Sequence, residues 1–203
     1  MIKKPVGIPV LFFGLGCPTS ARAHEYNMAA DNPLTALLSG MSHPVTGLDH
    51  FLAMFAVGFV SIFYRPKDIW IIPSIFLVAM LLGFVGGLIA GALPVSELAI
   101  ALSVILLGLC MAAQGSIPRT VVLLLVAVFA LFHGHVHAIE LPNAGATWIY
   151  AVGFLSGTAG IHIGGILVAE ILRKPNGANH SITFVSALVI ATGFFFTVKQ
   201  FIQ

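Results

Sequence analysis

Charge is what this chain has least of. Only 8% of its 203 residues are Asp, Glu, Lys or Arg, while 59% are hydrophobic, and the mean hydropathy is +1.05. Soluble domains carry roughly a quarter charged residues. Composition therefore excludes an ordinary water-soluble domain and indicates an integral membrane protein surrounded by lipid. Cysteine is nearly missing as well: Cys17 lies in a leader-like segment and Cys110 stands in an apolar run. That leaves no disulfide framework and no thiolate metal cage, and Cys110 reads as a small packed hydrophobe. There is no basic patch or aromatic–arginine platform of the kind that holds nucleic acid. A phosphate-binding G-x-x-x-x-G-K-[ST] loop is absent, so the chain has no ATP site of its own. Neither H-E-x-x-H nor G-x-S-x-G occurs, which sets an intramembrane hydrolase aside and suggests that the protein is not an enzyme.

What is present begins with residues 1–23, which read as a secretory signal. Lys3 and Lys4 form the basic start, Val6 to Gly16 the short apolar core, and Ala21-Arg22-Ala23 an A-x-A cleavage site. Leu15-Gly16-Cys17 is a poor lipoprotein box, because Gly14 stands where a Leu is wanted, and the core is short for an uncleaved anchor. Cleavage would make His24 the first residue of a mature domain, 24–203, on the outer side of the membrane.

Six apolar stretches follow, at about 46–64, 69–91, 94–113, 118–138, 146–172 and 181–201. Each is near the twenty residues that a spanning helix requires, and Pro or Gly punctuates every separator. The expected fold class is an all-α membrane protein, a bundle of six transmembrane helices in one domain. With His24 outside, the connections after the first, third and fifth spans face the cytoplasm. Those connections hold Arg65, Lys67, Arg119, Arg173 and Lys174, while the two outer ones hold no Lys or Arg. Basic residues favour cytoplasmic loops, so both signals place the two mature termini outside, with Lys199 near the outer C-terminal end the one exception in the mature chain. Glycines at 83, 86, 87 and 91, and at 153, 157, 160, 164 and 165, suggest close helix packing.

Against this apolar background the histidines and carboxylates are informative. His43-Pro44-Val45-Thr46-Gly47-Leu48-Asp49-His50 puts two imidazoles and a carboxylate at the mouth of the first span. His133, His137 and Glu140, spaced i, i+4, i+7, share one face of the fourth span, with His135 pointing the other way. Glu97 opens the third span, and its place in a first helical turn also suits the helix dipole. These groups are expected at one outer membrane face, with no basic residue nearby to make ordinary ion pairs. Ionisable groups in a membrane mark binding sites or pathways, and mixed imidazole and carboxylate suits a divalent transition metal. His162, near mid-membrane, is a further candidate. Glu170 could simply pair with Arg173 or Lys174, and His180 belongs to the last cytoplasmic loop.

His43-Pro44-x-x-Gly47-x-Asp49-His50 resembles the HPxxGxDH signature of the HupE/UreJ permeases. The run Phe132-His133-x-x-x-His137-x-x-Glu140 resembles that family's second signature, FHxxxHGxE, with Ala138 in place of its Gly. The leader, the mature His24 and the six-span layout match as well, so the resemblance covers essentially the whole chain. It implies a bacterial inner-membrane protein for nickel uptake, serving metalloenzymes such as hydrogenase or urease; some relatives are linked to cobalt. On the family pattern His43, Asp49, His50, His137 and Glu140 handle the metal, His133 belongs to the motif, and Glu97 joins by its depth. Nickel or cobalt would be the transported ion, with no permanently bound cofactor. Nickel and cobalt both stay open, because geometry and availability outweigh raw affinity in metal selection. A haem-binding electron-transfer protein is the alternative, since histidines in helices also serve as axial ligands. At an N-terminus the His24 α-amine and imidazole would chelate a divalent ion together, suiting it to metal capture.

Overall fold

The computed structural model describes residues 32–142, 146–173 and 179–202. The expected leader and His24 lie outside the described residues. Within those residues there are seven helices and no strands: α1 Pro33–Thr46, α2 Leu48–Ser61, α3 Asp68–Ala90, α4 Ser96–Ala113, α5 Arg119–Ile139, α6 Thr147–Leu172 and α7 His180–Ile202. Helices α3 to α7 are long and apolar enough to cross a membrane. Their bounds fall within two residues of the expected stretches.

The first span differs from expectation. Instead of one helix over 46–64 there are two of 14 residues each, bent by 85° about Gly47. Gly47 is extended (φ −95°, ψ 115°), which interrupts the helical hydrogen bonding. The added helix α1 has clear local causes. Asn32 caps it by accepting from the Leu34 amide at 2.9 Å, and Pro33 sits in its first turn, where its missing N–H costs nothing. Ala36, Gly40 and Pro44 form its buried stripe, while Leu34, Leu38, Met41 and Val45 form the opposite, exposed one. His43, expected at the mouth of the first span, therefore lies in the last turn of a helix that precedes it.

The register of the helix contacts gives their directions. Along α6, Gly40 of α1 abuts Tyr150 and Phe154, Met54 of α2 meets Thr158, Gly58 abuts His162, and the Ile62 carbonyl accepts from Arg173. Both halves of the broken pair thus meet α6 in the same chain direction, α1 along its first part and α2 along its second, although the 85° bend keeps their axes apart. Helices α3 and α5 are also parallel: Met80 faces Gly134, Gly87 faces Ala138, and their first residues are joined by a two-pronged ion pair. Arg119 Nη2 and Nε donate to Asp68 at 2.7 and 2.8 Å, and Asp68 is fully buried. Helices α4 and α7 are antiparallel, Gly108 lying against Val189 and Gly193 against Val104 and Ile105.

Helix α2 is central, packing on α1, α3, α4, α6 and α7. Its inner part is apolar on most sides because it is enclosed on most sides, with Ala53, Met54, Ala56, Val57, Phe59 and Val60 at 0% exposure. Helix α7 is peripheral, burying only the stripe Ile182, Ser186, Val189 and Gly193. Some of the expected glycine packing is seen. Gly83, Gly87, Gly153, Gly157 and Gly165 each abut a neighbouring helix, whereas Gly86, Gly160 and Gly164 face open space. The two ends of the bundle differ in charge: one gathers Arg65, Lys67, Arg119 and Arg173, while His43, Glu97 and Glu140 belong to the other.

Candidate metal centre

Three helices supply an interior column by repeating every four residues, the spacing that keeps side chains on one helix face. From α2 come His50, Met54 and Gly58; from α5, His137 and His133; from α6, Phe154, Thr158 and His162. Each is buried. Close helix approach shapes the column: a Cβ on Gly134 would strike the Met80 carbonyl, and one on Gly58 would strike that of His162.

At the rim, His43 Nε2–H donates to Glu140 Oε2 at 2.8 Å. Glu140 follows the last residue of α5 and its side chain is 46% exposed. The His43 hydrogen bond holds its carboxyl below the usual carboxylate range, against the opposing effect of partial burial. His137 lies just inside, 4.9 Å from the His43 ring and stacked flat on Phe154 at 4.5 Å. His50 follows, 5.8 Å from His137 and 5.3 Å from His133. Four imidazoles from α1, α2 and α5 thus form one cluster, with Tyr150 of α6 against His43.

The tautomers follow from the hydrogen bonds. His50 Nδ1–H donates to Asp49 Oδ1 at 3.1 Å, which leaves the Nε2 lone pair buried and without a partner among the described residues. His133 Nδ1–H donates to the Phe129 carbonyl at 2.9 Å, again leaving Nε2 unpartnered. A metal-ligating histidine typically donates its second nitrogen to a carboxylate or carbonyl in this way. His137 is fully buried and has no hydrogen-bond partner at either nitrogen among the described residues. An unsatisfied buried polar group costs about 1–3 kcal/mol, so these rings are poorly explained as packing alone.

His135 shows the contrast. Its Nε2–H donates to the Gly91 carbonyl at 2.7 Å, and its Nδ1 accepts from Ser96 Oγ at 3.0 Å. It ties the α3–α4 connection to α5, on the side away from the cluster, as its spacing implied. Glu97 stands beside the cluster without a hydrogen bond to it. It is part-buried in the first turn of α4, within electrostatic reach of His50, Asp49 and Glu140. Glu170 pairs with Arg173 at 3.1 Å. His162 is not part of the cluster; it lies deeper, against Phe76. Phe76, Tyr150, Phe154, Met54 and Thr158 were not singled out from the sequence. The i, i+4 ladders shared with His50 and His162 were the available signal for Met54, Phe154 and Thr158.

Among the described residues, no three His, Cys, Asp or Glu side chains close on a single point as a finished metal cage. The donors are instead strung out as neighbouring pairs of rings, 4.9 to 6.4 Å apart.

A multi-helix membrane protein with a histidine- and carboxylate-lined interior is the class that this fold and cluster define. The family described as HupE / UreJ protein matches residues 11–196, and the chain belongs to that family. It is also similar to Protein HupE of Rhizobium leguminosarum bv. viciae, 45% identical over 157 residues, which cover 77% of this chain and 80% of that protein. No solved structure matches the chain.

Proposed function

We propose that the protein carries a divalent transition-metal ion, nickel foremost and cobalt as the alternative, inward across the bacterial inner membrane. In this reading α1 and α2 form one broken span, giving six crossings with both mature termini periplasmic and the basic end of the bundle cytoplasmic. Parallel α2 and α6, parallel α3 and α5, and antiparallel α4 and α7 are the relations that six alternating crossings require. Broken helices recur at the binding sites of transporters, where the interrupted backbone lines a cavity. Here the break at Gly47 falls between His43 and Asp49.

The observation that carries the reading is the pair His50 and His133. Their rings are 5.3 Å apart, each Nδ1 proton is committed to a protein oxygen, and each buried Nε2 is unpartnered among the described residues. His43, His137 and Glu140 extend the donors to the rim, Asp49 orients His50, and Glu97 adds negative charge nearby. The outer end is thus a mixed imidazole–carboxylate environment of the kind that suits nickel or cobalt. The lack of a closed cage accords with transport, since a conducted ion must bind weakly enough, at several sites, to leave again. A haem site needs facing histidines in apolar surroundings, whereas here Asp49 and Glu140 accompany the rings, which disfavours the haem alternative. The ion is cargo, and no reaction is catalysed. The test is uptake of radiolabelled nickel by cells producing the protein, with cobalt as competitor. His43→Ala and Asp49→Ala should abolish uptake at normal membrane levels of protein. Unchanged uptake in either variant contradicts the reading.

A further inference from the structure

Two helical turns deeper than Phe154, α6 carries His162, at 1% exposure. Neither of its nitrogens has a hydrogen-bond partner among the described residues. Burial alone does not produce this in the present fold, because the buried His135 has both nitrogens bonded. Nor is His162 merely the lower edge of the outer cluster. A single ring, Phe76 of α3, makes edge-to-face contacts with both, at 5.4 Å from His133 and 5.2 Å from His162. Phe76 is itself fully buried, so an apolar ring in the core borders both His133 and His162, which make no ring contact with each other among the described residues.

The passage beside this ring has its own donors. Thr158, one turn outward from His162, donates its hydroxyl to Met54 Sδ at 3.2 Å, and Met54 lies one turn inward from His50. A thioether therefore sits between the outer imidazoles and the inner one. On the α2 side, Gly58 abuts the His162 backbone and contributes no side chain to cover it. From His50 to Gly58 the column descends about 12 Å at 1.5 Å per residue. That is a substantial part of a hydrocarbon core about 30 Å thick.

We propose that His162 is an inner binding station for the transported ion, reached from His133 by displacement of the Phe76 ring, with the Met54 thioether beside the path. The proposal rests on the transport reading and extends it from entry to passage. Neutral imidazole and thioether suit a borderline divalent ion such as nickel or cobalt and poorly suit magnesium or calcium, which take oxygen ligands. With no carboxylate in contact, this station holds its ion weakly and releases it readily, whereas the outer station carries Asp49 and Glu140.

The test uses the full chain in detergent, titrated with cobalt and followed by visible absorption, together with nickel uptake in cells. The unmodified protein should bind in two steps. His162→Leu, which keeps an apolar body against Phe76, should retain the outer step and lose the second. Its maximal uptake rate should fall about tenfold or more, the scale seen when a metal site loses a supporting group, while the half-saturating concentration stays unchanged. His162→Gln, whose amide can still ligate, should recover part of the rate. Normal uptake by His162→Leu overturns this proposal alone, as does a titration that keeps both steps or loses both together. Absence of uptake by the unmodified chain overturns the transport reading and this one with it.

Discussion

Asp49 accepts two hydrogen bonds from His50, one from its backbone amide at 2.9 Å and one from ring Nδ1 at 3.1 Å. The carboxylate thereby fixes both the start of α2 and the tautomer of the ring one residue on. Its neighbour Gly47 is extended, so α2 begins afresh at this point, with Asp49 in the first turn, where a negative charge also suits the helix dipole. The motif that binds the ion in the proposed function is also the motif that breaks the helix.

This relation separates charge from shape at Asp49. Asp49→Asn keeps an oxygen able to accept from His50 but loses the negative charge that raises the ring's basicity. Supporting groups of this kind typically cost about 10- to 100-fold in affinity or activity. Asp49→Asn should therefore lower nickel uptake by about that factor without abolishing it, while Asp49→Ala abolishes it. Equal uptake by the two variants, measured at matched membrane levels, would show that orientation of His50 is not what Asp49 supplies.

His133 and His135 are two residues apart and should behave oppositely. His133→Ala removes an unpartnered Nε2 from the cluster and should eliminate uptake with little loss of stability. His135→Ala leaves the Gly91 carbonyl and the Ser96 hydroxyl without their partner. It should cost about 1–3 kcal/mol of stability while the surviving protein transports normally. Thermal unfolding in detergent and uptake normalised to protein level distinguish the two effects.

Gly134 lies between those histidines, and a side chain there would strike the backbone of α3 at Met80. Gly134→Val should push α3 from α5 and destabilise the bundle by about 1–3 kcal/mol or more, the usual cost of overpacking. Gly86→Ala, on the same α3 helix but facing open space, should leave the unfolding temperature unchanged. A similar loss in both variants would mean that the glycine contact is not what sets the helix spacing.

His24 is open to a separate test. If leader cleavage exposes it, its α-amine and imidazole should help to gather scarce metal for His43. His24→Ala, in protein whose mature N-terminus has been verified by mass spectrometry, should reduce uptake at low nickel and have little effect at high nickel. An unchanged concentration dependence would remove His24 from the pathway.

Much of this was legible in the sequence because lipid imposes a simple rule on helix length. Five of the six stretches can be read from uninterrupted apolar runs ended by Pro or Gly. The broken first span was hidden for the same reason. Pro33, Gly40, Pro44 and Gly47 are turn residues by composition, yet Pro33 sits in a first turn, Gly40 at a close helix contact and Pro44 on a buried face; only Gly47 acts as a breaker. The grouping of His43, His50, His137 and Glu140 followed from depth and spacing. The greater depth of His162 also followed from its place in the span; its contact with Phe76 did not, because Phe76 is an apolar residue in a helix full of apolar residues.

The central claim is that His50 and His133 present their free Nε2 atoms to the transported ion. X-ray absorption at the nickel edge, on the purified full chain loaded with one equivalent of nickel, tests it most directly. The expected spectrum has a shell of nitrogen and oxygen with outer-shell scattering from imidazole, and that scattering diminishes when His50 and His133 are replaced by Ala. A sulfur-dominated shell, or imidazole scattering that persists undiminished in the double variant, would contradict the account.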